Sequence, residues 1–155
     1  MDSYKLDQTD IKILNLLQKD GLTTNRELAR QTHRTHNPIN ERVARLKKLG
    51  YIEKTVAIVD LKKAKSVFTA FTLIQLNKHT KESLLHFQDS ISHLPQIMEC
   101  SHLIGQFDFM LKIVVSDLNA YHDFMNSYIA TLECVQKVES LPMLKEIKRE
   151  TAYLL

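Results

Sequence analysis

Glycine and proline occur three times each in these 155 residues and cysteine twice, and each scarcity removes a class of protein. Glycines at 21, 50 and 105 leave no glycine-rich loop to cradle a phosphate, and no nucleophile elbow or paired catalytic signature is present. Catalysis is therefore not expected. The same scarcity leaves no low-complexity linker, and there is no internal repeat. No run reaches the roughly 18 apolar residues of a membrane span. The N-terminal stretch 1–10 lacks the apolar core of a secretory signal, which points to a cytoplasmic protein. Cys100 and Cys134 form no CxxC pair and read as free thiols in a reducing compartment.

Metal binding fares little better. His79, His86 and His93 recur every seven residues on or beside one helix. Seven helical residues span about 10.5 Å, too far for two imidazoles on one ion with bonds near 2 Å. Cys100 and His102, two apart on a strand, face one side, but no second pair matches them. No metal and no cofactor is expected.

What the chain does have is positive charge in one place. Between Thr23 and Ile52 stand Arg26, Arg30, Arg34, Arg42, Arg45, Lys47 and Lys48 against only Glu27 and Glu41. The whole chain carries +3, so everything outside this segment is net negative. A local positive surface is what phosphate binding requires.

The segment lies in a three-helix pattern. Asp7 is a good N-cap for a first helix, with Asp10 in its first turn and Ile11, Ile13, Leu14 and Leu17 as its apolar residues. Asp20-Gly21 ends it. Thr24 caps a second helix over 25–31, Glu27 stands where a capping box needs it, and Leu28 and Ala29 face inward. After the turn Thr32-His33-Arg34, Thr35 caps a third helix with Pro38 in its first turn and Ile39, Val43 and Leu46 as its buried stripe. The opposite face carries Asn37, Asn40, Glu41, Ala44, Arg45 and Lys48. Asparagine pairs with adenine, and Arg or Lys reaches guanine or phosphate. Thr35 and the helix start suit a phosphate. Gly50 closes the helix, and residues 53–60 are expected to form the β-ribbon of a wing. The expected partner is double-stranded DNA, contacted by Arg34, Thr35, His36, Asn37, Asn40, Glu41, Arg42, Arg45 and Lys48.

Beyond residue 60 the pattern changes. Strands are expected over 67–76, 97–104, 107–115 and 135–148. Helices are expected over 80–94, with Leu84, Leu85 and Phe87 inward, and after Asp117, with Tyr121, Phe124, Met125 and Tyr128 at helical spacing. The order βαββαβ is ferredoxin-like. The fold class is thus α+β: a winged helix-turn-helix domain over 1–60 and a ferredoxin-like domain over 61–155. One sheet face is left without a helix, and self-association is the economical way to cover it. Asp108, in an apolar strand after a glycine turn, has two open readings: a carboxylate that binds backbone amides, or a ligand-pocket group.

These motifs together resemble the Lrp/AsnC (leucine-responsive, feast/famine) regulators of bacteria and archaea. The resemblance rests on Leu6-Asp7 with Asp10, Ile13-Leu14 and Leu17; on Glu27-Leu28-Ala29; on Glu41-Arg42-Val43 with Arg45-Leu46; and on Gly50-Tyr51-Ile52. In the second half it rests on Gly105 with Asp108-Phe109-Met110-Leu111 and on Ile147-Lys148. It implies a nucleoid-associated, sequence-specific transcription regulator whose homodimers assemble into octamers. It also implies a free amino acid bound between dimers near Gly105, Gln106, Phe107 and Asp108, with Ser140 a candidate from the last strand. In that reading Asp108 pairs with the ligand ammonium. An architectural protein that compacts DNA with little sequence preference is the alternative. Two positions depart from the family pattern: His33-Arg34 replaces a frequent Gly-Leu pair in the turn, and Ile104 replaces a small hydroxyl residue before Gly105.

Overall fold

The computed structural model describes residues 4–155, apart from the side chain of residue 62. Residues 1–3, part of the stretch read for a signal segment, lie outside it. The chain divides into two compact units, one of residues 4–58 with 147–155 and one of residues 59–146. The last nine residues therefore belong with the first unit, not with the sheet that precedes them.

The first unit contains helices α1 (Gln8–Lys19), α2 (Asn25–Thr32) and α3 (His36–Lys48). Asp7 caps α1 in a complete capping box: its side chain accepts the Asp10 amide, and the Asp10 carboxylate accepts the Asp7 amide. At α2 only half of the expected box forms. Thr24 accepts the Glu27 amide, but the Glu27 carboxylate is drawn away by Arg30 and Gln31. Ile13, Leu14, Leu28, Ala29, Ile39, Val43 and Leu46 form the core. Ile11, expected inward, lies off that cluster, because Ile13 and Leu14 point the other side of α1 at α2 and α3. Gly50, at φ 78°, ends α3 through Tyr51 N–H donating to the Leu46 carbonyl at 3.0 Å.

Residues 53–60 do not form the expected ribbon. A ribbon needs two paired strands, and eight residues without a turn signal cannot fold back on themselves. The segment instead has no regular secondary structure, with Val56, Ile58 and Val59 exposed. Near the C-terminus, the Gln18 amide exchanges two hydrogen bonds with the Tyr153 backbone, at 2.7 and 3.2 Å.

In the second unit a short helix, α4 (Leu61–Ala64), precedes β1 (Phe68–Leu76), α5 (Lys81–Ile91), β2 (Ile97–His102), β3 (Phe109–Val115), α6 (Leu118–Phe124) and β4 (Val135–Pro142). The strands form one antiparallel sheet in the order β2-β3-β1-β4. This is the ferredoxin-like arrangement expected. Ala70, Ile74, Leu76, Phe109, Leu111 and Ile113 face the helices and pack on Phe87, Ile91, Tyr121 and Phe124. Phe87 and Phe109 stack at 4.7 Å.

Three sequence expectations shift. Leu85 is exposed, because the inward stripe of α5 is Leu84, Phe87 and Ile91. Tyr128 is exposed, because α6 widens into a π turn over Met125–Ile129 that places Ile129 in the core instead. β4 stops at Pro142 rather than 148, because Ala70 is its last partner on β1.

The turn between α2 and α3 holds strain. His33 adopts φ 54°, ψ 43°, the left-handed region in which a Cβ crowds the following carbonyl. His33→Gly is expected to stabilise the first unit by about 0.5–1 kcal/mol, the relief of strain outweighing the entropy glycine adds to the unfolded chain. His33→Val is expected to destabilise it. Urea unfolding midpoints of the two variants against the parent give the answer, and equal midpoints would show that the turn is unstrained.

Candidate nucleic-acid interface and effector loop

The outer surface of α3 is exposed from residue 33 to 38 and again at Glu41, Ala44, Arg45, Lys47 and Lys48. Asn37, Glu41, Ala44 and Lys48 fall on one stripe by their spacing of four, three and four. Thr35 begins the helix, and its hydroxyl makes no capping bond. An anion can take that hydroxyl together with the free amides of the first turn. Arg34 follows the strained turn and is exposed, as is His36. Among the described residues Arg26, Arg34, Lys47 and Lys48 make no ion pair or side-chain hydrogen bond, so their charge is available.

Two expected contacts are differently employed. Asn40 is half-buried. Its amide oxygen accepts from Asn25 at 2.6 Å and its amide nitrogen meets the His36 ring at 3.0 Å. A bidentate pairing with adenine would require both of those bonds to break. Arg42 turns inward. It donates to Asp7 at 2.6 Å and to Asp10 at 2.8 Å, and Asp10 is fully buried. The hydrogen bonds to these carboxylates hold the Arg42 guanidinium above its ordinary pKa. Neither partner is local to α3, which is why charge alone placed Arg42 with the DNA-facing residues.

Asp10 has a further partner that sequence reasoning missed. Tyr4 donates its hydroxyl to Asp10 at 2.5 Å, and this bond raises the tyrosine pKa. The buried carboxylate thereby joins the segment before α1, the N-cap of α1 and the middle of α3.

In the second unit the loop between β2 and β3 carries the expected effector residues. Gly105 has φ 145°, a conformation that a side chain would strain. Ile104, Gly105 and Gln106 are exposed, Ile104 fully so, and Phe107 is half-buried. Asp108 is buried, and its carboxylate accepts the Leu76 amide at 2.8 Å and meets the His79 ring at 2.7 Å. Its own backbone bonds the Ile74 carbonyl and the Leu103 amide. The amide-binding reading of Asp108 is thus realised within the chain.

Ser140 does not join this loop. It pairs with Thr72 across β1–β4, and its hydroxyl accepts from Tyr121 at 2.6 Å. Asp108 bonds the amide of Leu76, four residues on from Thr72, or about 13 Å along a strand. From β4 it is Lys137 that reaches the loop, its ammonium 5.1 Å from the Phe107 ring centre. His79 and Lys137 are additions that no sequence spacing signalled. Cys100 and His102 flank a cleft of about 350 Å³ between α5 and β2. Desolvation raises the Cys100 thiol pKa, although the residue itself is exposed.

An exposed, cation-bearing third helix after a tight turn, followed by a ferredoxin-like unit with a presented glycine loop, defines a helix-turn-helix DNA-binding regulator with a ligand-binding domain. Residues 6–53 match the winged helix-turn-helix DNA-binding family, and residues 69–153 match the Lrp/AsnC ligand-binding domain. The chain belongs to the Lrp/AsnC family of transcriptional regulators. It is 32% identical over 148 residues to the Bkd operon transcriptional regulator of Pseudomonas aeruginosa, covering 96% of this chain and 97% of the relative. It is 31% identical over 144 residues to the leucine-responsive regulatory protein of Escherichia coli, covering 93% and 88% respectively. A transcriptional regulator of Neisseria meningitidis, solved as a complex with L-methionine, superposes with a TM-score of 0.88 at 30% identity over 96% of each chain.

Two predictions follow from the charges of the first unit. Replacing Asp10 by Ala leaves Arg42 with Asp7 alone and strips the Tyr4 hydroxyl and the Asp7 amide of their acceptor, at an expected cost of about 3 kcal/mol in urea unfolding. A loss under about 1 kcal/mol would show that Asp10 is dispensable. Acid acts through different groups. Arg30 and Gln31 hold Glu27 down to about 2, against an ordinary 4.5. The Asp10 amide, with Arg42 adding, also lowers Asp7. A lowered folded pKa adds stability above the ordinary value and loses it as pH falls through the folded one. The melting temperature of the first unit is therefore expected to fall between pH 4.5 and about 2, and Glu27→Gln to flatten that fall. An unchanged slope in this variant would remove Glu27 from the account.

Proposed function

We propose that α3 lies in the DNA major groove with Asn37, Glu41, Arg45 and Lys48 toward the duplex, and with Arg34, Thr35 and His36 on phosphate at the helix start. The observation that supports it is the separation of charge on this helix: Arg42 is neutralised inside while the remaining cations stand exposed. Asn40 then acts by orienting His36, and Arg42 by holding α3 to α1. Removing one phosphate contact lowers the salt slope of binding by about 1. Lys48→Ala and Arg45→Ala are expected to show that drop, and Arg42→Gln to weaken binding with the slope unchanged. The readout is fluorescence anisotropy of a duplex enriched from a random-sequence pool by the parent chain. A slope that falls for Arg42→Gln and not for the other two would reverse the assignment.

The regulator is further proposed to bind a free amino acid at the loop 104–108 and to act as a homodimer that assembles to an octamer on nucleoid DNA. The open face of the sheet carries Phe71, Leu73, Met110 and Val114, with Leu141 exposed beside them, an apolar surface suited to a second copy. The ligand meets the outward groups of the loop: Gln106, the Gly105 backbone and the Phe107–Lys137 pair, with His79 beside Asp108. Methionine is the first ligand to try, because the Neisseria regulator at 30% identity binds it. In a thermal-shift screen against single free amino acids, a ligand at a hundred times its dissociation constant adds about 2.7 kcal/mol. At least one amino acid is expected to raise the melting temperature, and Gln106→Ala or Lys137→Ala to diminish the rise. Silence from every amino acid would sink the effector assignment. Asp108→Ala is a poor probe, because it strips the buried Leu76 amide of its acceptor and destabilises the chain even without ligand.

A further inference from the structure

Among the cations of α3, Arg45 alone is both accessible and held. Its side chain is 44% exposed, yet its guanidinium carbon lies 4.6 Å from the centre of the Tyr4 ring. One guanidinium nitrogen stands 3.9 Å from Asp10, an ion pair too long for a hydrogen bond, so the ring is the group it packs on. Tyr4 is in turn fixed on several sides. Its hydroxyl donates to Asp10, its carbonyl accepts the Tyr51 hydroxyl at 2.8 Å, and its ring meets that of Tyr51 edge-on at 6.2 Å. Among the described residues Lys47 and Lys48, by contrast, make no ion pair or side-chain hydrogen bond, and Arg42 faces inward.

A long arginine side chain loses much rotamer freedom when it docks on a ligand. A guanidinium already resting on an immobilised ring has lost part of that freedom beforehand, and preorganisation of this kind strengthens binding without any new contact. Because the side chain stays 44% exposed, the guanidinium keeps forked donors that a ligand can reach. We propose that Tyr4 is a positioning residue for DNA recognition: its ring orients the Arg45 guanidinium toward the duplex, so the segment ahead of α1 is part of the reading surface. This rests on Arg45 being a DNA contact, as proposed above.

The test uses the full chain and the same enriched duplex, with Tyr4→Phe, Tyr4→Leu, Arg45→Ala and the double variant Tyr4→Leu/Arg45→Ala. Losing the ring contact is expected to weaken binding about three- to tenfold. Tyr4→Phe, which keeps the ring, should restore affinity to within about twofold of the parent. In the Arg45→Ala background Tyr4→Leu should have no further effect, because the group it orients is gone. Equal weakening by Tyr4→Leu in both backgrounds would show that Tyr4 only supports the fold, and would overturn the proposal. So would full binding by Tyr4→Leu beside a weakened Arg45→Ala. If Arg45→Ala itself binds like the parent, it is the DNA contact that fails, a separately visible result. Should Tyr4→Leu not fold, the Arg45 side-chain proton resonances decide. They are expected upfield from the ring current in the parent and in Tyr4→Phe, and their absence there would overturn the proposal.

Discussion

The carboxylate of Asp10 is the constraint on which the DNA-binding unit depends. A fully buried acid is costly unless charged and hydrogen-bonded partners surround it. Here they come from separate parts of the chain: the Tyr4 hydroxyl, the Asp7 amide and the Arg42 guanidinium. The apolar packing of Ile13 and Leu14 against Ile39, Val43 and Leu46 is non-directional, and on its own it permits small slides and rotations of one helix on another. A carboxylate with donors at fixed angles does not. The net worth of such a network in stability is modest, since removing charges from water offsets much of their attraction. Its value lies in fixing which face of α3 looks outward.

Asp108 does the same work in the sheet. Its carboxylate holds the Leu76 amide at the end of β1 and the His79 ring just beyond, while its backbone ties the loop to Ile74 and Leu103. The inner half of the loop is thereby fixed, and the outer half, from Ile104 to Gln106, is presented. A ligand that meets the outer half pulls on an element bonded directly to the two strands at the centre of the sheet. Among the described residues each unit thus has one buried carboxylate, and in each it supports an exposed element: α3 in the first unit and the loop 104–106 in the second.

Sequence patterning made the elements legible because caps and apolar spacing are local. Asp7, Thr24, Thr80 and Asp117 all accept amides in the first turn of their helices. The stripe Ile39, Val43, Leu46 and the alternation of β1 are as the spacing indicates. What escaped was non-local or competitive. Leu84 and Leu85 are adjacent and equally apolar, so only the rotation of α5 on the sheet separates them. The π turn that expels Tyr128 leaves no trace in residue type. The wing demanded a partner strand that residues 53–60 cannot supply to themselves. Arg42 and Arg45 look alike in sequence, and only the hydrogen bonds of Arg42 to Asp7 and Asp10, 35 and 32 residues before it, tell them apart. Glu27 satisfied the spacing of a capping box, but a guanidinium three residues on outcompeted a backbone amide.

The charge that first drew attention to residues 23–52 therefore needs sorting by availability rather than by count. Glu27 neutralises Arg30, and Asp7 with Asp10 neutralises Arg42. The cations left over, Arg26, Arg34, Lys47 and Lys48, together with Arg45 at 3.9 Å from Asp10, include none that faces the core of the unit. Interior pairing has in effect moved the positive field outward, to the turn and the exposed side of α3. Lysines without partners suit phosphate, where a mobile point charge is enough. Base edges demand donors at set positions, and a side chain held before its ligand arrives meets that demand better than a free one; in the proposed interface that side chain is Arg45, resting on the Tyr4 ring. In that proposal affinity and sequence preference fall to different residues of one helix, and the division follows from which side chains the buried carboxylate and its neighbours have already immobilised.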